Sequence, residues 1–136
     1  MKNYVVSLEL AKRLKEAGYP QDGEYWYYRE HGGEGEVLFH NEIAAEMGHG
    51  FLPDSKIAAA PLATELLERL PQRIGINKTK DFTLQVWKTD YAEYVVMYVG
   101  LDHESKLTAH DPAAHDKSLP DALAEMYLWL KENNYL

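Results

Sequence analysis

The segment FTLQVWKTDYAEYVVMYVGL, residues 82–101, decides the fold class of this chain. Its opening part places Phe82, Leu84 and Val86 at every second position, which is the period of a β-strand. Its closing part, YVVMYVGL, is almost entirely apolar, which indicates a strand buried on both faces. The polar run KTDYAE between them favours a turn. Residues 82–101 are therefore predicted to form a β-hairpin.

A second hairpin is predicted upstream, from Glu24 to His40. The aromatic run EYWYYRE is typical of a strand, and VLFH supplies the return strand. The run HGGEGE between them contains the glycines that a tight turn uses. Because both faces of the first strand carry aromatic rings, we expect neither face to be fully solvated.

Helical patterns flank the two hairpins. The first begins at Ser7, a residue suited to capping, and ends at Gly18. A short helix is predicted over residues 41–48, with residues 49–56 as a loop, and another helix over about Pro61–Arg69. In the last helix, Ser118 and Asp121 resemble a capping box. The apolar stripe of that helix comprises Leu119, Leu123, Met126, Tyr127 and Leu130, with Trp129 off the stripe.

These elements predict an α+β fold in one domain spanning residues 1–136, with antiparallel strands from two hairpins packed against helices. A hairpin followed by a helix that opens with proline occurs twice, at residues 24–69 and 82–136. This is either an old duplication of a ββα unit or a coincidence. The two helices share little beyond proline and leucine, which favours coincidence.

The composition narrows the classes of function. The chain has 22 acidic and 14 basic residues, a formal net charge of −8, which disfavours nucleic acid as a partner. The absence of cysteine excludes disulfides, thiolate zinc sites and cysteine nucleophiles, and it is consistent with a reducing compartment. No segment resembles a signal peptide or a membrane span, so we expect a cytoplasmic protein without a membrane partner.

The histidine-rich segment LDHESKLTAHDPAAHDKSLP, residues 101–120, suggests a metal site. Its candidate ligands are His103, His110 and His115, but their spacings do not match the three or four residues that pair two ligands on one helix. Pro112 and the neighbouring alanines favour a solvated loop instead. The loop is the preferred interpretation, no cofactor is predicted, and a metal-binding protein or hydrolase stays as an alternative.

Catalytic motifs are missing from the sequence. No serine lies in a G-x-S-x-G elbow, and HGGEG lacks the lysine and hydroxyl residue of a phosphate-binding loop. Glu42 and Glu46 would share a helix face, but no second helix supplies matching carboxylate and histidine ligands. The sequence therefore predicts no catalytic residues and favours a protein that is not an enzyme.

Aromatic residues exceed what one small core needs, and they supply candidates for partner binding. We select Trp26, Tyr28 and Trp129 on this basis. Acidic residues surround the first two, which argues against stacking on nucleic-acid bases.

Three segments carry a family resemblance: LELAKRLKEAGYPQDGEYWYY, IAAAPLATELLERLP and SLPDALAEMYLWLKENNYL. With them, most of the chain resembles a group of small phage and prophage proteins. The resemblance implies a phage origin and a bacterial host, but it brings no activity and no functional residues. Leu62 departs from the group, which usually has a polar residue after the proline.

The resulting expectation is a phage or prophage accessory protein without catalytic activity that binds another protein. In its sharper form, the chain is an acidic inhibitor that occupies a basic groove of a host protein. The alternatives are the metal-binding protein or hydrolase at residues 101–116 and a homo-oligomeric structural protein that associates through Tyr127, Trp129 or residues 25–28.

Overall fold

The computed structural model describes residues 4–29, 35–40, 56–77, 80–100 and 113–136. The helices of this part of the chain are α1 (Leu8–Glu16), α2 (Ala63–Arg69) and α3 (Leu119–Glu132). The strands are β1 (Tyr25–Arg29), β2 (Glu36–His40), β3 (Lys56–Ala59), β4 (Arg73–Asn77), β5 (Lys80–Lys88), β6 (Tyr94–Gly100) and β7 (Ala113–Asp116). The helix predicted over residues 41–48 lies outside the described residues.

The strands form two antiparallel sheets, one in the order β2-β1-β3 and the other in the order β4-β5-β6-β7. Both predicted hairpins are present, as β1–β2 and β5–β6, and each belongs to its own sheet. The α+β fold class is confirmed. Strand β3 pairs with β1, the first strand of its hairpin, whereas β7 pairs with β6, the second strand of its hairpin. The two ββα segments therefore differ in strand order.

Helix α3 is the centre of the fold. It contacts β6 and β7 on one side and α1 and α2 on the other. Its buried residues cover most of the helix circumference and include Leu128, which is outside the predicted stripe. A helix that is apolar on nearly every side packs between layers rather than on a surface. The prediction of a single buried stripe on α3 is therefore too narrow.

Helix α1 lies between α3 and β3 and is joined to α3 at its first residues. The backbone N–H of Ser7 donates a hydrogen bond of 2.7 Å to Asp121 Oδ1. Ser7 occupies the N-cap position, but its side chain makes no capping hydrogen bond, so the prediction of a side-chain cap is wrong. At the other end, Gly18 has φ +88° and ends α1 as predicted. The N–H of Tyr19 donates to Leu14 O and that of Gly18 donates to Lys15 O, which is the Schellman arrangement.

Three short strands correct the sequence-based assignments. Residues 113–116 form β7 and not part of a loop, because their backbone pairs with β6. Lys56, predicted as the end of a loop, begins β3, and β4 was not predicted at all. Helix α2 begins at Ala63 rather than Pro61, because Leu62 is extended and bridges Val5. The Glu65 carboxylate accepts a hydrogen bond of 2.6 Å from the Leu62 N–H at this helix start.

Candidate interaction surfaces

The two predicted aromatic candidates on β1 lie inside the protein. Trp26 is 8% exposed and Tyr28 is 2% exposed, and both belong to a small core cluster with Ala59. Val37 and Phe39 of β2 pack against this cluster. The Trp26 indole N–H donates to Gly23 O at 2.9 Å, and Lys56 Nζ lies 4.4 Å from the Trp26 ring centroid. In this arrangement, the two rings contribute packing between the strands of the first sheet.

The third candidate, Trp129, reaches the surface. It is partly buried, and its ring stacks on Tyr135 with centroids 5.5 Å apart and planes 12° apart. Tyr135 is held by the backbone after α3, where its N–H donates to Leu130 O and Asn134 has φ +62°. This stacking fixes the orientation of the indole ring.

Trp129 lines a cleft of about 270 Å³ between α1, β7 and the second half of α3. We call this cleft the α1–α3 groove. Ala114, Met126 and Leu128 supply apolar walls, and Arg13, Glu125 and Glu132 supply charged groups. The ion pairs within the described part of the chain join Lys12 to Glu36 and Arg69 to Asp22, and His40 Nε2 lies 3.6 Å from Glu24 Oε2. Arg13 and Glu125 are thus neighbours without a direct ion pair.

Burial and neighbouring charges disfavour ionisation of two carboxyls on α3. The pKa of Glu125 is raised by burial and by the nearby charges of Asp116 and Asp121, and the opposing effect of Arg13 is smaller than that of Asp116. The pKa of Asp121 is raised by burial and by Asp116, although the hydrogen bond from Ser7 works in the opposite direction. Both carboxylates therefore lie where negative charge is incompletely compensated.

A different surface lies at the end of the β5–β6 hairpin. Burial decreases along β5, from Phe82 in the core to exposed residues at positions 85–88. Val86 is 37% exposed and Trp87 is 38% exposed, and these neighbours point to opposite faces of the sheet. The exposure of this segment is confined to β5, because the β6 residues paired with Val86 and Trp87, which are Val96 and Val95, are buried. At the tip of the hairpin, Tyr91 is 88% exposed.

The turn that carries Tyr91 is well ordered by hydrogen bonds. The Thr89 N–H donates to Glu93 O at 2.7 Å, and the Ala92 N–H donates to Thr89 O at 3.1 Å. The Glu93 N–H donates to the Thr89 hydroxyl at 3.3 Å. Ala92 has φ +59°, a left-handed conformation that costs a non-glycine residue roughly 1 kcal/mol. The hairpin thus holds an exposed tyrosine on a defined but strained turn.

Sequence analysis missed Tyr91 and Trp87 as surface residues. The sequence already contained one relevant signal, a tyrosine inside the polar run KTDYAE, where a turn is expected to be solvated. Trp87 carried no such signal, because its alternation with Val86 is equally consistent with a buried position on either face.

The proposed histidine ligands receive no structural test. His103 and His110 lie outside the described residues. The backbone of His115 lies in β7 opposite Val95. Among the residues that the structure describes, no group of three or more histidine or carboxylate side chains is placed to hold a metal ion.

Comparisons with family models, with curated proteins and with solved structures yield no significant match for this chain. No helix in the described ranges combines the length and the apolar character that a membrane crossing requires.

Proposed function

We propose that this chain is a phage or prophage accessory protein that acts without catalysis, by binding another protein in the cytoplasm of a bacterial host. The observation that carries the binding role is the exposure of Trp87 and Tyr91 on the β5–β6 hairpin. Tryptophan and tyrosine dominate the energetics of protein interfaces, because they bury a large area at a small cost in conformational entropy. The resemblance to small phage proteins supports the proposed origin.

The rigidity of the turn supports the same role. Three hydrogen bonds around Thr89 hold the backbone of the turn that carries Tyr91. A preorganised turn loses less conformational entropy on binding than a mobile loop does. The left-handed Ala92 shows that the turn is not optimised for stability, and local strain of this kind clusters at functional sites.

The negative charge around Tyr91 supports a basic protein surface as the partner. Asp90 and Glu93 flank Tyr91, and the whole chain carries a net charge of −8. A basic surface on the partner would complement both, as the acidic-inhibitor hypothesis requires. If this hypothesis is correct, binding will weaken steeply between low and high salt, whereas a salt-independent affinity will contradict it.

Site-specific photocrosslinking tests the proposal. A benzophenone amino acid replaces Tyr91 in one variant and Tyr4, which is 65% exposed outside the hairpin, in the control. Both variants are irradiated in bacterial lysate. We expect a discrete adduct from position 91 that excess wild-type protein removes and that excess Tyr91→Ala protein does not.

The adduct pattern also separates the alternatives. Equal adducts from positions 4 and 91, or adducts that wild-type protein does not compete away, would refute binding through the hairpin. An adduct between two copies of this chain would instead favour the homo-oligomeric structural role.

A further inference from the structure

The surface stripe of α3 places charged and aromatic side chains on a largely buried helix. Between Pro120 and Leu130, the residues that are not buried are Asp121, Glu125 and Trp129. Their spacing of four residues places them on one side of the helix. Every other position in this interval is buried and apolar. Of these three residues, Glu125 and Trp129 line the α1–α3 groove.

The described residues around Glu125 compensate its negative charge only in part. Within the described ranges, its carboxylate has neither a hydrogen bond nor an ion pair with another residue. Burial and the charge of Asp116 both oppose its ionisation, and Arg13 offsets them incompletely. At neutral pH, this charge costs folding free energy. A cation supplied from outside would compensate it.

Negative charge dominates the groove. Among the described residues that line it, Glu125 and Glu132 stand against one cation, Arg13, and Asp116 and Asp121 act on Glu125 from beside it. The adjoining cleft, lined by Arg13, Glu16, Lys131 and Glu132 among others, is balanced in charge. The groove together with its surroundings is thus acidic.

The direction of helices α1 and α3 adds to the negative electrostatic potential near the groove. The beginnings of α1 and α3 are joined by the Ser7–Asp121 hydrogen bond, and their later residues line a common cleft, so the two helices run parallel. Their carboxyl-terminal ends therefore lie on the same side of the molecule. The negative ends of the helix dipoles favour a cation beside Glu132, which is the last residue of α3 and lines the groove.

The apolar walls determine which cation fits. Leu128 and Trp129 border the groove, and the stack on Tyr135 holds the indole ring in place. A bare metal ion would not bury this apolar surface. A flexible aliphatic stem with a charged head would cover it and reach the carboxylates.

We propose that the α1–α3 groove binds a lysine or arginine side chain presented by a partner protein. The stem packs against Leu128 and Trp129, and the charged head pairs with Glu125. This inference rests on the proposed function, because it names the chemistry of the partner. It concerns a surface other than the β5–β6 hairpin, so the two are tested separately.

Peptide titration followed by NMR tests the groove without knowledge of the partner. The probes are the blocked tripeptides acetyl-Gly-Lys-Gly-amide and acetyl-Gly-norleucine-Gly-amide, which share the aliphatic stem and differ in the charge. We expect the lysine peptide to shift the Trp129 indole signal with a dissociation constant on the order of 1 mM. The norleucine peptide should bind at least about fivefold more weakly.

Two variants locate the site. Glu125→Gln should weaken binding of the lysine peptide about five- to tenfold, and Glu68→Gln, at an exposed position on α2, should leave it unchanged. Circular dichroism melting checks that both variants fold. Equal shifts from the two peptides, or equal affinity of wild type and Glu125→Gln, would overturn the proposal.

Two further measurements distinguish the proposed lysine or arginine site from related possibilities. Tighter binding of spermidine than of the lysine peptide would contradict a protein source for the cation. Affinity for the lysine peptide should fall as the pH is lowered through the raised pKa of Glu125, and this dependence should flatten in Glu125→Gln. If the peptide fails to bind while crosslinking from position 91 persists, the groove proposal is wrong and protein binding through the hairpin stands.

Discussion

The hydrogen bond between Ser7 and Asp121 ties the beginning of α1 to the first turn of the central helix, and its removal should cost measurable stability. Asp121→Ala deletes the carboxylate that accepts the Ser7 N–H at 2.7 Å. A hydrogen bond to a charged acceptor contributes about 1.5–3 kcal/mol, and an acidic residue in the first turn of a helix contributes about 0.3–1 kcal/mol more. Relief of the partly buried charge offsets some of this loss, so we expect a net loss of about 2 kcal/mol.

Asp121→Asn is the matched control. Its amide oxygen still accepts the Ser7 N–H, and the unfavourable negative charge is gone. We expect its free energy of unfolding at pH 7 to lie within about 1 kcal/mol of wild type. In thermal melts, Asp121→Ala should lower Tm by roughly 8 °C and Asp121→Asn by much less.

The same pair of proteins tests the pKa of Asp121. Because that pKa is raised in the folded protein, the folded state binds a proton more readily than the unfolded state does. The stabilisation that comes from protonating Asp121 is fully present below its unfolded pKa, about 3.9, and is lost as the pH rises through the folded pKa. Wild type should therefore gain stability relative to Asp121→Asn between pH 7 and pH 4.

Urea unfolding at several pH values measures both effects. The hydrogen-bond argument is refuted if Asp121→Ala is as stable as wild type, or if Asp121→Asn is destabilised as much as Asp121→Ala. A stability difference that shifts in favour of Asp121→Asn on acidification would refute the raised pKa.

Three further substitutions test local features of the fold by urea unfolding. Gly18→Ala should lower the free energy of unfolding by about 1 kcal/mol through the left-handed backbone alone, since no atom lies near the added methyl group. Gly75→Ala has equal space and no positive φ, so its stability should not change. Equal losses in the two variants would contradict this reasoning. Ala92→Gly should gain about 0.5–1 kcal/mol by relieving the strained turn, and a loss would show that the turn is not strained. Tyr98→Phe should lose about 1 kcal/mol with the 2.6 Å hydrogen bond to Pro71 O, and an unchanged stability would mean that this bond contributes nothing.

The hairpins were predictable because their signals are local. The alternation from Phe82 to Val86 and the apolar run after Tyr94 determine strand type and burial without knowledge of the partner strand. Gly18 and Ser118 likewise mark helix ends through their own backbone and side-chain chemistry, and the Ser118 hydroxyl accepts a hydrogen bond from the Asp121 N–H at 3.5 Å.

The missed strands depend on tertiary contacts. The residues of β3 and β7 include alanines, which have little intrinsic preference for strands, and they are extended because β1 and β6 offer hydrogen-bonding partners. Their small side chains fit this role, since Ala58 and Ala114 are buried in the core around α3. Strand β4 lies at a sheet edge, and its exposed Arg73 and Gly75 give no alternating apolar pattern.

The candidate surfaces likewise include features that follow from the local sequence and features that depend on tertiary contacts. Trp129 was selected correctly as a residue off the buried stripe, because helical periodicity alone places it there. The groove around it was not predictable, since Arg13 and Glu125 lie far apart in the sequence and meet only through the parallel packing of α1 and α3. Trp26 and Tyr28 were selected for their type, but the pairing of β1 with β2 and β3 buries them.

The measurement that most directly tests the proposed protein-binding role is the affinity of the crosslinked partner for three proteins: wild type, Tyr91→Ala and Tyr4→Ala. An interface residue of the hot-spot kind contributes about 2 kcal/mol or more, which corresponds to roughly a thirtyfold change in Kd. We expect this weakening in Tyr91→Ala and a change within about twofold in Tyr4→Ala. Equal affinities of wild type and Tyr91→Ala would contradict the proposal that the β5–β6 hairpin is the binding element.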